Sequence, residues 1–469
     1  MKFNKIQENI QKDLAIIYDT YPTLSLILKA IEAHEGYAYF VGGMVRDMVL
    51  SSPIKDVDIE VHGLSEEQLM HILQKFGFVD LVGKSFGVLR LHGMDIDWSL
   101  PRADSAGRKP TVAIDPFMPI DLALARRDVT MNAMAVHTTS QELIDPFDGL
   151  KDIENGILRS PNIDFFAQDP LRFFRVMAFI SRFEMYPDPA LHTLCTTMQI
   201  ASVSRERIEQ EFAKMLLRSK RPSLGIRWLK QIGRLQELMP ELAACVGIPQ
   251  NPKWHPEGDV FEHSMQTLDA SAQLAYVSDE EKLTIMYAAL SHDLGKAVTT
   301  QEEADGIHSH GHEEAGEPLA RAMLKRITHH KELIDKVAKL VRLHMEPVHF
   351  MRGDAKAPAY KRLAHKLAPD LNIAMLIKLA VADRRGRNGE SHEPLKTEDP
   401  ELAIFARKAQ EAQVVHEREP AVLTGKDFLD VIAPGPELGK AVALAYELQM
   451  EGETDPVVLR EKVLAEIEK

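Results

Sequence analysis

The segment YFVGGMVRDMVLSSPIKDVDIEV, residues 39–61, limits what this chain can build more than any other. A β-rich run ends in Gly42-Gly43, a short helix carrying Arg46 and Asp47 follows, and a second strand carries Asp56 and Asp58. Successive strand side chains alternate faces, so the two carboxylates project to one side and can converge on one or two hard divalent cations. The glycines let backbone N–H groups approach a phosphate closely. These are the parts that hold a metal-chelated nucleoside triphosphate. A lone D-x-D also occurs on solvated strand edges, and RRDVTMNAMA at 126–135 tips the balance toward a nucleotide site.

GGMVRD, DVDIEV and RRDVTMNAMA resemble the head motifs of class II tRNA nucleotidyltransferases and bacterial poly(A) polymerases, within the polymerase-β-like nucleotidyltransferase superfamily. The resemblance continues through IDPFDGLKDIENGILR and QDPLRFFRVMAF and spans roughly residues 35 to 240. It implies an α/β head, Mg²⁺ as cofactor, ATP and CTP as substrates and tRNA as partner, with template-independent addition of CMP and AMP to the tRNA 3′ end. An A-adding or CC-adding enzyme and a poly(A) polymerase are the alternatives within the class. A nucleotide hydrolase or sensor is the alternative outside it.

Length and composition fit an enzyme of several domains. The 469 residues are 45% hydrophobic, ample for packed cores. No apolar run reaches the roughly 18 residues of a membrane-spanning helix, and MKFNKIQENIQKDLAIIYD reads as an amphipathic helix without a signal-peptide core. Cys195 and Cys245, without C-x-x-C spacing, point to a reducing compartment, and the cytoplasm is the expected location. The net charge of −14 opposes RNA unless basic residues are gathered. They are gathered at 205–234: Arg205, Arg207, Lys214, Arg218, Lys220, Arg221, Arg227, Lys230 and Arg234. Of these, Arg205, Arg207, Arg218 and Lys220 are the candidate RNA contacts, a solvated helix face being the alternative. No protein partner is expected.

YAYFVGG, KDVDIEV, GVLRLHG and MDIDWSL read as the strands of the head. After about residue 150 helical periodicity takes over, and Pro-rich stretches near 249–256 and 394–400 mark boundaries. The expected divisions are an N-terminal helical extension (1–34), the head (35–150), an all-α neck and body (151–250), an all-α HD domain (251–398) and a helical tail (399–469).

Within the head, Asp97 is the candidate third carboxylate. Asp95, two residues away, competes for the role, and the family pattern favours Asp97. Three carboxylates around two Mg²⁺ ions suit deprotonation of a 3′-hydroxyl and stabilisation of a leaving pyrophosphate. PRADSAGRKPT, residues 101–111, reads as a mobile loop over the site, an ordinary hairpin connection being the alternative. In RRDVTMNAMA, guanidinium forks suit phosphate and carboxylates suit ribose hydroxyls. The resemblance assigns Asp128 and Asn132 to sugar and phosphate, Arg127 to triphosphate, and Gly43, Arg46 and Arg175 to nucleotide binding. Asp169 and Arg172 are spaced as neighbours on one helix face. A carboxylate and a guanidinium so placed match the base edges of C and A, and the family reads its incoming base this way. Gln168 departs from the family's Glu before the Asp, so a neutral amide is expected to hold Arg172.

Downstream, His263, His292-Asp293 in ALSHDLGK and Asp383 in AVADRRGR follow the order of a metal-dependent HD phosphohydrolase. His312 and His344 are possible further ligands of a binuclear site. Imidazole and carboxylate ligands suit a divalent transition metal or Mg²⁺. PKWHPEGDVFEH and the segment beyond residue 420 resemble HD-containing bacterial CCA-adding enzymes. That resemblance implies phosphatase or 2′,3′-cyclic phosphodiesterase action on RNA ends.

Overall fold

The computed structural model describes residues 3–82, 88–104 and 112–467, so most of the expected loop at 101–111 lies outside the described residues. Two compact units divide the chain at Glu211 and Phe212. That division falls inside the segment expected to form a single neck and body.

The first unit is built on a mixed sheet. Its strands are β1 (Tyr37–Val41), β2 (Val57–His62), β3 (Val79–Val82), β4 (Val88–Leu91) and β5 (Ile96–Ser99); after a separate hairpin of β6 (Arg102–Asp104) and β7 (Val112–Ile114) come β8 (Ala135–His137) and β9 (Leu143–Ile144). Their order is β3-β4-β5-β2-β1-β8-β9. Only β2 and β5 pair in parallel, Asp58 opposite Asp97 and Ile59 opposite Trp98; the other pairs are antiparallel. Alternation then sorts the faces. Ile59, Val61, Ile96 and Trp98 enter the core, while Asp58, Glu60 and Asp97 point the other way.

The N-terminal helices Phe3–Thr20 and Leu24–Glu32 are no appendage to this core. Ile6, Ile10, Leu14, Leu24, Ile27 and Ile31 are buried with Phe40, Ile59 and Trp98 in one cluster. Their spacing of three and four residues puts these side chains on one stripe of each helix, which covers the apolar sheet face. Among the described residues, the two helices are the one bent pair whose length and composition resemble a membrane span, and no single helix is long and apolar enough to cross one. The segment expected as an extension is therefore part of the head.

In the second unit, helices Val260–Ala272, Asp279–Ser291, His312–Ile327, Lys331–Leu343 and Ile373–Arg385 pack around Leu268, Ile285, Leu290, Leu340 and Leu379, all nearly inaccessible. The HD segment is not wholly helical. A hairpin of Gln301–Glu303 and Gly306–His308 leads into the helix that begins at His312. Residues 423–467 hold their own small core around Phe428, Ala441 and Leu459.

Because Ile10 has no exposed surface, Ile10→Ala should remove about 2–5 kcal/mol from the head's stability. Chemical denaturation measures this. A loss below about 0.5 kcal/mol, the range of surface substitutions, would restore the reading of a dispensable extension.

Candidate nucleotide cleft and metal centre

In the first unit a cleft of about 440 Å³ is lined by Gly43, Arg46, Asp58, Asp97, Arg127, Asp128, Asn132, Asp169, Arg172 and Arg175. Among the sequence candidates for the head, Asp56 and Asp97's competitor Asp95 are absent from this lining. Asp56 was expected on a strand, but β2 begins one residue later, at Val57, and Asp56 stands exposed just before it. Its charge still reaches Asp58. Burial raises the Asp58 carboxyl's pKa and the charges of Asp97 and Asp56 raise it further, with Arg127 opposing.

The carboxylates of the cleft lean on arginines. Arg90 grips Asp97 with Nε on one oxygen and Nη2 3.1 Å from the other. Arg127 Nη2 donates to Glu60 Oε2 at 3.1 Å, and His62 Nε2 lies 3.1 Å from Glu60 Oε1. Burial would raise Glu60, yet the His62 hydrogen bond and Arg127 outweigh it and hold the carboxyl low. Neither Arg90 nor Glu60 was singled out from the sequence. Both follow from period-two alternation once β4, β2 and β5 are paired. Asp58 and Asp97, oxygen donors side by side on paired strands, fit a hard divalent cation, whereas Asp56 lies outside the cleft lining.

Gly42 has a left-handed φ of 73°, and a Cβ there would lie 3.4 Å from Arg127 Nη1 and 3.8 Å from Asp58 Oδ2. The turn thus brings bare backbone against the acidic strand. Arg46, buried at the next helix, donates through Nη1 to Asn132 Oδ1 at 2.6 Å. Asn132 Nδ2 in turn donates to Asp128 Oδ1 at 3.0 Å, and Arg175 Nε to Asp128 Oδ2 at 2.6 Å. Burial pushes Asp128 up, but Arg175, Asn132 and the Val129 N–H overcome it and keep the carboxylate ionised.

Asp169 and Arg172 do not share a helix face. The helix starts at Leu171, and Asp169 precedes Pro170, a position that disfavours the helical backbone. Asp169 Oδ1 accepts from Leu171 N at 3.1 Å, and its carboxylate meets Arg207 at 3.3 Å. Arg172 donates to the carbonyls of Phe165 at 2.8 Å and Arg126 at 2.5 Å. Those two carbonyls do the holding expected of Gln168, which is exposed.

The basic run at 205–234 is partly spent inside the protein. Arg227 forms a two-pronged pair with Glu262 at 2.6 and 2.8 Å, Arg234 meets Glu237 at 2.6 Å, and Arg221 lies 3.8 Å from Asp269. Arg205, Arg207, Arg218 and Lys220 are exposed.

The second unit gathers all six HD candidates. His292, His312 and His344 each place Nδ1 on a backbone carbonyl, of Ala289 at 2.9 Å, Ser309 at 2.8 Å and Val341 at 2.6 Å. A carbonyl only accepts, so Nδ1 carries the proton and Nε2 a lone pair. His263 Nδ1 meets Glu257 Oε1 at 2.7 Å, which leaves its Nε2 facing inward too. Yet His263 Nε2 is 3.2 Å from His292 Nε2, and His312 Nε2 is 3.1 Å from His344 Nε2. Lone pairs facing each other call for a cation.

Asp293 stands between the two pairs. Its Oδ2 lies 3.3 Å from His292 and 3.6 Å from His263; its Oδ1 lies 3.3 Å from His312 and 3.8 Å from His344. Asp383 Oδ1 approaches His263 Nε2 at 3.1 Å. The donors therefore fit two divalent cations sharing one carboxylate. Burial lowers His263, but Asp383 and Glu257 outweigh it and push its pKa up to about 9.

Gly295 makes the HDLG turn possible: a Cβ there would fall 2.0 Å from the His312 carbonyl. Lys296 Nζ sits 2.7 Å from Asp293 Oδ2, and Arg387 2.8 Å from Asp383. Glu257, Lys296 and Arg387 were not singled out from the sequence, although Glu257 lies within PKWHPEGDVFEH. The ligands Asp293, His312, His344 and Asp383 open on a cleft of about 480 Å³.

Residues 38–159 match the Poly A polymerase head domain, residues 190–246 the probable RNA and SrmB-binding site of polymerase A, and residues 260–385 the HD domain. A CCA-adding enzyme solved with CTP is 19% identical with a TM-score of 0.63, the match covering 100% of this chain and 99% of that one. The Bacillus stearothermophilus CCA-adding enzyme in complex with CTP gives 19% and 0.63 over 95% and 98%. The Thermotoga maritima CCA-adding enzyme complexed with tRNA_CCA gives 19% and 0.57 over 94% of each chain. The chain thus has the fold of a polymerase-β-like head followed by a helical body and an HD region.

Two substitutions probe these contacts. Glu257→Gln should weaken divalent-metal binding by roughly 10–100-fold, as loss of a ligand's outer partner does; a titration that matches wild type would remove Glu257 from the centre. Gln168→Glu should leave discrimination against UTP and GTP unchanged, because backbone carbonyls already fix Arg172. Arg172→Ala, by contrast, should lose about 1–3 kcal/mol of it. Competition assays with all four nucleotides read both, and sharper discrimination in Gln168→Glu would mean that the amide is the arginine's support.

Proposed function

We propose that this chain, which carries a Poly A polymerase head, its RNA-binding segment and an HD domain, is a tRNA nucleotidyltransferase that adds CMP and AMP stepwise to the tRNA 3′ end. The observation that carries the reading is the convergence of Asp58 and Asp97 with Asp169 and Arg172 on one cleft. In each cycle the RNA 3′-oxygen bonds to the α-phosphorus, the bond to pyrophosphate breaks, and the hydroxyl proton leaves. Asp56, Asp58 and Asp97 would hold Mg²⁺, which would supply the positive charge for that proton loss and for the departing pyrophosphate. Arg127 and Arg46 face the triphosphate, and Asp128 with Asn132 orients the ribose. Asp169 accepts from the exocyclic amine of C or A while Arg172 donates to the ring, an edge that G and U do not offer. Asp169 is available for this work because its pair with Arg207 is exposed and weak, about 0–1 kcal/mol.

The HD domain is proposed as a phosphohydrolase acting on RNA ends or nucleotides. His263, His292, Asp293 and Asp383 would hold one divalent cation and Asp293, His312 and His344 a second, which would supply Lewis acidity and activate a water. Arg205, Arg207, Arg218 and Lys220 contact the RNA backbone. The functional divisions at 150, 250 and 398 follow the motifs, and the cytoplasm suits two buried free thiols.

Sizing the products from tRNAs that end before, within and after CCA, given CTP, ATP or both, tests the reading. Completion of CCA is expected; products stopping after C residues, single A additions or long A tails would assign one of the narrower activities. Asp58→Ala should abolish addition and spare metal-dependent hydrolysis, and Asp293→Ala the reverse. Loss of both activities in either folded variant would refute two separate metal centres.

A further inference from the structure

Three tryptophans are present, and they differ sharply. Trp98 and Trp228 are 0% and 2% exposed, whereas Trp254 is 49% exposed. An aromatic ring of that size gains most from burial, so one left in solvent at a cleft asks for an occupant. Trp254 lines the HD cleft together with Lys296, His310, Arg352 and Asp293. Its place is fixed relative to the ligands. The neighbouring His255 packs edge-on against His263 with ring centroids 4.8 Å apart, and Glu257 accepts from both His255 and His263.

The rest of the cleft complements a nucleotide. Arg352 is exposed there and, among the described residues, makes no hydrogen bond or ion pair, so its charge is open to a phosphate. Lys253 Nζ lies 4.9 Å from the Trp254 ring centroid, adding positive charge beside the exposed aromatic ring. His308 and His310 form a stacked pair on the same lining, their planes within 8°. Flat surfaces beside cations are how proteins hold unpaired bases without reading their sequence.

We propose that Trp254 is a base platform, so that the HD cleft takes a phosphate ester attached to a nucleobase, of either purine or pyrimidine type, and discriminates against base-free phosphates. This rests on the phosphohydrolase reading of the HD domain and names its substrate class. Hydrolysis adds one water: its oxygen bonds to phosphorus, one ester bond breaks, and a proton passes to the leaving oxygen. Trp254 takes no part in that exchange and acts on binding alone.

The test uses the full chain loaded with Mn²⁺ and two probes that share a five-membered cyclic phosphodiester, adenosine 2′,3′-cyclic phosphate and glycerol 1,2-cyclic phosphate. Trp254→Ala should raise KM for the adenosine probe roughly tenfold, the scale of one base stacked on an aromatic, with kcat little changed. Hydrolysis of the glycerol probe should be unaffected, and Trp254→Phe should keep most of the wild-type KM. Separately, iodide reaches only Trp254, so the quenchable share of tryptophan emission should fall as the adenosine probe saturates. An unchanged KM in Trp254→Ala, or iodide quenching indifferent to the probe, overturns the platform. If the wild type hydrolyses neither probe, the phosphohydrolase reading fails instead, and the iodide measurement still decides whether the base stacks.

Discussion

The parallel pairing of β2 with β5 sets Asp58 opposite Asp97, and the rest of the head depends on that register. The same register sends Ile59 and Trp98 into the core. A slip of one residue would invert both faces at once, burying carboxylates and exposing a tryptophan. Hydrophobic packing therefore enforces an arrangement that electrostatics alone would reject. Asp58 pays attention to its neighbours' charges through a raised pKa, while Arg90 on Asp97 and Arg127 on Glu60 supply the compensation that the protein can offer by itself.

The second centre solves a similar problem with different donors. Instead of carboxylates on strands, it uses imidazoles at helix ends, where the last carbonyls lack helical partners. His292 and His344 cap their helices, and each turns Nδ1 to a carbonyl of its own last turn. Backbone geometry thereby fixes the tautomer and aims the lone pair. The oxygen-lined cleft of the head suits a hard ion with a retained hydration shell, whereas mixed nitrogen and oxygen donors favour a transition metal.

Much of this was legible because the relevant residues sit in short, dense runs. Gly42-Gly43, Asp58, Asp128 and the His292-Asp293 dyad carry their chemistry within a turn or two of backbone. What escaped notice required pairing in space. Arg90 meets Asp97 only because β4 lies beside β5. Arg127 meets Glu60 across 67 residues of sequence, and no local periodicity encodes that. The expectation that Asp169 and Arg172 share a helix face failed for a local reason, although both line the cleft: Pro170 delays the helix start, so a spacing of three no longer means one face. The basic run at 205–234 misled differently, since composition does not reveal which arginines already have carboxylates.

That last point bears on how an acidic protein handles RNA. With a net charge of −14, each arginine bound to a buried partner is one fewer to neutralise phosphate. Arg227 and Arg234 are held in ion pairs, and within the basic run Arg205, Arg207, Arg218, Lys220 and Lys230 are exposed. Affinity for RNA rises with the number of phosphates neutralised, and so does its sensitivity to salt. A handful of contacts gives weak, quickly reversed binding on a surface that otherwise repels the backbone. Such a balance is ill suited to coating long RNA. It fits the proposed activity, in which the chain would engage one end of a folded RNA, shift as that end lengthens, and let go.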